Sequence, residues 1–121
     1  MSYNAITAGD IAAAIASTVP TLQVMLNAIN SISNGTAYQF PRGAKSFSFL
    51  LSGTGAVTAT VEIQVSNDNT NWLSHASYTV ALSGTNVDFD GFMDADTWKY
   101  HRAAIVALTG TAAAVTVTAS Y

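Results

Sequence analysis

The clearest pattern along the chain is a strict alternation of apolar and polar residues between positions 57 and 66. Valine, alanine and isoleucine occupy the odd positions from Val57 to Val65, and polar residues occupy the even positions from Thr58 to Ser66. Side chains along a β-strand point to opposite faces with a period of two, and β-branched residues suit a pleated surface. The alternation therefore predicts a strand with one apolar face and one polar face.

A run of turn-forming residues ends this predicted strand. Residues 66–71 read Ser-Asn-Asp-Asn-Thr-Asn, and apolar character returns at Trp72 and Leu73. Asn and Asp enter left-handed backbone conformations and bond to their own backbone two residues further on. The chain is therefore predicted to turn back at this point as a β-hairpin.

Shorter stretches of the same kind follow on both sides, and Gly, Asn and Thr separate them. The connector over 38–43 contains Pro41 and Gly43 and precedes the first of these strands. The further predicted strands cover 45–52, 77–82, 87–89, 98–108 and 112–121. About seven short antiparallel strands with turns between them indicate a mainly β fold, an antiparallel β-sandwich or jelly roll, over residues 38–121.

Residues 1–37 have a helical pattern instead and are predicted to form an N-terminal helical arm and connector. Thr7 and Asp10 fit a variant capping box before an alanine-rich run, and Pro20 suits the first turn of a second helix. The apolar positions of the two helices that are expected to contact another surface are Ile11, Ile15, Leu22, Met25, Leu26 and Ile29. Isolated helices this short are marginal in water, so the arm covers its own sandwich or docks on a neighbouring subunit.

Composition separates this chain from an ordinary globular domain. Charged residues make up 9% of the sequence, against about 25% in typical domains. Low charge is typical of surfaces that are buried in assemblies, and it favours a self-assembling subunit over an isolated monomer. The net charge is −3, and the four basic residues are too few for the clustered basic face that nucleic acid requires.

Other classes are disfavoured by what the sequence lacks. The chain contains no cysteine, so it has no disulfide, no thiol nucleophile and no thiolate metal ligand. The start of the sequence has no positively charged segment of a secretory signal, and the longest apolar runs are too short to span a membrane. We therefore expect neither a membrane nor a nucleic-acid partner.

The titratable residues do not form a recognisable catalytic arrangement. Asp88, Asp90, Asp94 and Asp96 are clustered, but their spacing does not fit a calcium loop, and acids in turns are commonly solvated. Glu62 lies on the polar side of the predicted strand and is expected in water. A glycosidase would need two carboxylates across a cleft, and no Ser-His-Asp elbow or phosphate loop is present. We expect a non-enzymatic protein without a metal or cofactor.

The two histidines lie in unrelated segments. His101 is adjacent to Tyr100 and is predicted to point to the opposite side, toward solvent or a neighbouring subunit. A histidine at a subunit contact would make assembly depend on pH. Two histidines alone do not supply the ligands of a zinc site.

The aromatic residues allow two interpretations. Trp72, Tyr78, Trp98 and Tyr100 are either core or sheet-edge packing, which we favour, or a platform on which a sugar ring stacks. In the second interpretation Trp72 and Trp98 are the binding residues.

Three segments resemble a known group of proteins. Residues 63–72 resemble the I-Q-x-S-N-D-G-T-N-W hairpin of small β-sandwich proteins in tailed-phage virions, with Asn69 at the usual Gly. Residues 98–102 match the later W-K-Y-x-R strand of that group, and the Ala/Thr/Val-rich segment 112–121 matches its last strand. The hairpin and the Y-x-R piece are also similar to those of discoidin-type carbohydrate-binding domains. The resemblance covers 46–121 and leaves out the first third of the chain.

The resemblance implies a structural protein of a phage virion that is assembled in the host cytoplasm. A capsid decoration protein is the role we favour, as a homo-oligomer that binds the major capsid protein or other virion proteins. A trimer is favoured because it fits the local three-fold positions of a shell. A neck, tail or fibre-base component is the alternative within this class, and a carbohydrate-binding module is the alternative from another class.

Overall fold

The computed structural model describes residues 19–121, which form one antiparallel sheet of five strands. The strands are β1 (Leu22–Ile29), β2 (Ser33–Asn34), β3 (Lys45–Ser66), β4 (Leu73–Asp94) and β5 (Tyr100–Ser120). Their order across the sheet is β1-β5-β3-β4, and β2 also pairs with β5. The predicted mainly β, antiparallel fold is confirmed.

The three long strands fold back on themselves. Tyr78 and Phe92 belong to the same strand, β4, yet their rings are stacked with centroids 5.6 Å apart. Residues this far apart in a straight strand would be separated by about 45 Å, at about 3.3 Å per residue. The sheet therefore bends over its middle and brings its two halves face to face, so the two layers of the sandwich belong to one continuous sheet.

The bend follows a line of residues with left-handed backbone angles. Gly55 of β3, Asn86 of β4 and Gly110 of β5 have φ angles of 73°, 68° and 122°. At this level the register of β3 is irregular against β4, between Ser52 and Ala56, and against β5, between Ser52 and Thr58. The Asn86 side chain joins two of the bends, because its Oδ1 accepts a hydrogen bond from the Gly55 N–H at 2.7 Å. The residues that were predicted to be turns between short strands are thus the bends inside long ones.

Two glycines permit close packing at the bend. A Cβ on Gly110 would lie 2.8 Å from the carbonyl oxygen of Ala56 and 2.8 Å from a Val57 methyl group. A Cβ on Gly53 would lie 2.7 Å from the same Val57 side chain. Only glycine fits such approaches without a shift of the neighbouring strand.

The core lies between the two layers. The first layer contains β1, Lys45–Ser52 of β3, 87–94 of β4 and 114–120 of β5, and the second layer contains β2 and the other halves of the long strands. Fully buried side chains come from both halves of β3, Phe47, Phe49 and Leu51 from one and Val57, Val61 and Ile63 from the other. They form a single hydrophobic cluster with residues of β5 and β4.

The second predicted helix is wrong, since its residues form the edge strand β1. Leu22 pairs with Ser120 of β5, and Ile29 pairs with Val115. Register shifts on either side of Leu26 break the period of two, so Met25 and Leu26 are both buried. A strand with two bulges therefore reproduces the three- and four-residue spacing of a helix, and pairing along β5 outweighs helix propensity.

The sheet consequently begins at Leu22, well before Tyr38. Of the residues predicted for the arm, Met25 and Leu26 belong to the core, Ile29 packs against it, and Leu22 is exposed. Ile11 and Ile15 lie outside the described residues. No helix within 19–121 has the length and hydropathy needed to cross a bilayer.

The predicted hairpin after β3 is confirmed. Val65 pairs with Leu73, and Asn69 has the expected left-handed conformation with φ of 59°. The Asp68 carboxylate organises the turn, since its Oδ1 accepts the backbone N–H groups of Thr70 at 2.9 Å and Asn71 at 2.7 Å. These hydrogen bonds hold the pKa of Asp68 well below its usual value.

Candidate functional site

The outer face of the first layer carries no charged residue, and we call it the uncharged face. Cross-strand pairing places its members in rows that run from β1 through β5 and β3 to β4. The members are Leu22, Val24, Ser46, Ser48, Leu50, Ser52, Val87, Phe89, Gly91, Met93, Ala114, Thr116, Thr118 and Ser120.

Large apolar side chains on the uncharged face are open to solvent. Met93 is 75% exposed, Leu22 is 66% exposed and Phe89 is 64% exposed. Val24, Leu50 and Val87 add to the exposed apolar surface. Single exposed apolar residues are ordinary, but several on one sheet face indicate a contact surface.

Hydroxyl groups occupy the middle of the uncharged face. Ser48 of β3 and Thr118 of β5 are opposite each other, and their hydroxyls are hydrogen-bonded. The Thr116 hydroxyl accepts a hydrogen bond from the Ala28 N–H of β1 at 3.0 Å. A hydroxyl both donates and accepts, so this central strip can meet almost any uncharged polar surface.

The outer face of the second layer, which we call the polar face, carries a connected chain of charged and amide groups. The Arg102 Nε–H donates to Gln64 Oε1 at 2.6 Å, and Gln64 Nε2 donates to Glu62 Oε1 at 2.7 Å. The Ser74 hydroxyl donates to the same Glu62 oxygen at 2.8 Å. The guanidinium of Arg102 stacks on the Trp72 ring, 4.2 Å from its centroid.

Glu62 is therefore not in water, as its position in the alternation suggested. The side chain is on the predicted polar side of β3, but only 8% of the residue is exposed. Gln64 on the same strand and Ser74 on the neighbouring strand provide the hydrogen bonds that a nearly buried carboxylate requires. Ser74 comes within reach of Glu62 only because β3 pairs with β4.

A buried ionic cluster closes the open end of the sandwich, opposite the bend. Asp96 Oδ1 lies 2.9 Å from Nε2 of His101 and 3.6 Å from Nζ of Lys45. Lys45 Nζ also donates to the Asp96 carbonyl at 3.0 Å, and the Tyr78 hydroxyl donates to Asp96 Oδ2 at 3.1 Å. The cluster joins β3, β4 and β5 through side chains from both layers.

The prediction that His101 points to solvent or to a neighbour is wrong, because His101 is fully buried. It lies on the inner face with Ala103 and Ile105, which are also buried. Its ring lies against those of Phe40 and Phe47, with centroids 5.4 Å and 5.9 Å away. The phase shared with the apolar positions 103 and 105 is the sequence signal that would have placed it inside.

The electrostatics of the cluster follow from this burial. Burial lowers the pKa of His101, and the Asp96 carboxylate offsets only part of that effect. Burial tends to raise the pKa of Asp96, but the positive charge of Lys45 and the hydrogen bonds from His101 and Tyr78 outweigh it and lower this pKa. Neutral His101 thus donates through Nε2 to ionised Asp96, and within 19–121 its buried Nδ1 has no hydrogen-bond partner.

The structure separates the two tryptophans that were predicted as a sugar platform. Trp72 is half-buried under Arg102 on the polar face. Trp98 lies in the loop between β4 and β5, where it lines an open cavity of about 290 Å³. The other residues lining this cavity are Gln39, Phe40, Pro41, Arg42, Asp96, Thr97 and Lys99. Neither tryptophan belongs to the buried core, and both are half-buried, so of the packing roles that we favoured only sheet-edge packing remains open to them.

The clustered acids have separate roles. Asp88, Asp90 and Asp94 each accept the backbone N–H of the next residue, and Asp88 also accepts that of Ser83, at 2.7–2.9 Å. Asp96 belongs to the ionic cluster. Within the described part of the chain, no group of three or more His, Cys, Asp or Glu residues is placed to hold a metal ion.

Comparisons with known proteins identify a shared fold. No protein-family model matches the sequence, and no curated protein matches it. Among solved structures, the chain is similar to the SPBc2 prophage-derived protein YomS, with a TM-score of 0.54 and 18% sequence identity. The match covers 85% of this chain and 94% of that protein. At this identity the similarity shows that the two chains share a fold.

Proposed function

We propose that the protein is a non-enzymatic structural subunit of a tailed-phage virion, and that it acts there as a capsid decoration protein. The observation that carries this proposal is the uncharged face. Its exposed Phe89 and Met93 are poorly suited to permanent contact with water, and no charge on the face opposes contact with another protein.

Two further observations support a virion role. The fold is shared with a prophage-derived protein, YomS. The sequence itself contains the hairpin over 63–72 and the strand over 98–102 that resemble those of small virion proteins. A decoration protein needs a rigid body and a surface that binds the shell. A sandwich whose two layers are joined at one end by an ionic cluster supplies the rigid body.

Mass spectrometry and immunogold labelling of purified virions from the encoding phage test the proposal. We expect the protein in many copies per particle, with the label spread over the head. A label confined to the neck or the tail would replace the decoration role with the tail or fibre-base role. Absence of the protein from purified particles would contradict both roles.

A carbohydrate-binding module is the second candidate, and the cavity beside Trp98 favours it. An aromatic ring, the Gln39 and Thr97 side chains, Asp96 and two basic residues line this open cavity, and such groups can stack on a sugar ring and bind its hydroxyls. Glycan-array binding that is lost in Trp98→Ala and kept in Trp72→Ala would establish this candidate. Trp72 is the matched control, because it is also half-buried but lies on the polar face.

A further inference from the structure

We propose that the uncharged face is the contact between two copies of this chain, packed face to face as a symmetric pair. The inference deepens the proposed function and rests on it, because it names the surface through which the subunit assembles. A two-fold pair also differs from the trimer that the sequence analysis favoured.

The first argument is charge. The chain has a net charge of −3, so most contacts between two copies bring like charges together. The uncharged face is an exception, since no Asp, Glu, Lys, Arg or His is among its members. Two such faces can approach without the repulsion and the desolvation cost that a charged surface would impose on its own copy.

The second argument is complementarity between identical surfaces. In a face-to-face pair whose two-fold axis runs across the strands, β4 lies over the partner's β4 and β5 over the partner's β5. Phe89 and Met93 then contact the same apolar strip of the partner. The hydroxyl strip around Ser48 and Thr118 meets hydroxyls, which are donors and acceptors at once.

The third argument is area. Four strands at a spacing of about 4.8 Å give a width of about 19 Å, and β3 crosses the face from Ser46 to Ser52 over about 20 Å. The projected area is therefore about 400 Å² per copy, or about 800 Å² for a pair, and protruding side chains increase the accessible area. Specific interfaces begin at about 1,000 Å² in total, and the estimated area is below that size, so we expect the pair to associate weakly and reversibly.

Sedimentation equilibrium of the full chain over a range of concentrations tests this inference. The wild-type chain is expected to show a monomer–dimer equilibrium, and Phe89→Asp is expected to weaken it at least tenfold. Phe89→Lys must weaken it as well, because either charge loses its water at the contact. The matched control is Ile32→Asp, since Ile32 is 66% exposed, close to the 64% of Phe89, and is not a member of the face.

Several outcomes would overturn the proposed contact. They are a wild-type monomer up to millimolar concentration, an oligomer of any size that Phe89→Asp leaves intact, and equal weakening by Ile32→Asp. Weakening by Asp but not by Lys at position 89 would indicate general repulsion in an acidic protein and would also overturn it. Circular dichroism of each variant confirms that the fold is retained.

The virion role has its own readout, so the two failures are distinguishable. A chain that associates in solution through another surface can still be present on the phage head. A chain that is absent from virions can still pair through this face.

Discussion

The two layers of the sandwich are halves of the same long strands, yet their outer faces have opposite chemistry. On the polar face, Arg102, Gln64 and Glu62 bond to one another, and Trp72 covers the guanidinium. On the uncharged face, Phe89 and Met93 extend into solvent without a covering group from the described chain. The polar groups of the polar face are hydrogen-bonded to one another, whereas the apolar side chains of the uncharged face would leave water only against a second surface.

The few charged residues of this chain are unevenly distributed between the two outer faces. The charged groups lie at the open end, on the polar face, in the hairpin turn and on the edge strand β4, where Asp88 and Asp90 alternate with members of the uncharged face. Only the outer face of the first layer is left with Ser, Thr, Gly and apolar residues. Composition alone indicated assembly, but only the strand register shows which face is free of charge.

The largest expected effect comes from removing the bend, because both faces depend on it. Gly110→Ala is expected to lower the free energy of unfolding by about 2–5 kcal/mol, from a strained φ of 122° and a Cβ 2.8 Å from the Ala56 carbonyl oxygen. Gly43→Ala is the control, since φ is 112° there but no atom lies within 4 Å of its Cβ. Chemical denaturation measures both, and equal losses would show that crowding at the bend is unimportant.

The polar face should contribute stability on its own. Glu62→Ala leaves the donors of Gln64 and Ser74 without their nearly buried acceptor and is expected to cost about 1–3 kcal/mol in the free energy of unfolding. Glu62→Gln retains one acceptor oxygen and should recover part of this loss. Neither variant should alter self-association in sedimentation experiments. An association defect in Glu62→Ala would remove the distinction between the two faces.

The ionic cluster predicts a dependence of stability on pH that neither face produces. His101 has a lowered pKa in the folded state, so the unfolded chain binds more protons and stability falls as the pH drops below about 6.5. Asp96 and Asp68, whose folded pKa values are also lowered, add a second loss below about pH 4. Denaturant unfolding at several pH values measures both steps.

His101→Phe serves as the control for the upper step. The variant keeps a ring against Phe40 and Phe47 but cannot take up a proton. The loss that begins below about pH 6.5 should therefore disappear, while the loss below about pH 4 remains. An unchanged profile would assign the upper step to another group.

The smallest effect on the stability of the monomer is expected from a substitution on the uncharged face. Met93→Ser changes a side chain that is 75% exposed, so the free energy of unfolding of the monomer should change by less than about 0.5 kcal/mol. The measurement requires a protein concentration below the range in which the chain associates. A larger loss would mean that the face stabilises the monomer as well.

Sequence reasoning was most reliable where the period of the pattern was unbroken. The alternation from Val57 to Val65 and the Asn-rich turn after it predicted a strand and a hairpin, and both are present. The pattern failed at Leu22–Ile29, where two bulges in β1 gave the strand the spacing of a helix. Local periodicity cannot reveal that the partner strand, β5, lies far along the chain.

The functional surfaces depend still more on distant pairing. The register that sets Leu50 beside Phe89 and Thr116 defines the uncharged face, and no local pattern contains it. The burial of Glu62 likewise depends on Ser74 of the neighbouring strand. His101 is different, because its phase with Ala103 and Ile105 was visible in the sequence.

The position of β5 between β1 and β3 has a consequence for the order of folding. Among the strands of residues 19–121, β5 is synthesised last, yet β1 and β2 pair with no other of these strands, and half of the pairing of β3 is with β5. Before β5 is complete, these described strands can therefore pair only as the β3–β4 hairpin, with Phe47, Phe49 and Val61 still unpacked on one side. Completion of the sheet must await the last strand, so folding is dominated by non-local contacts and is expected to be slow, on the order of milliseconds to seconds.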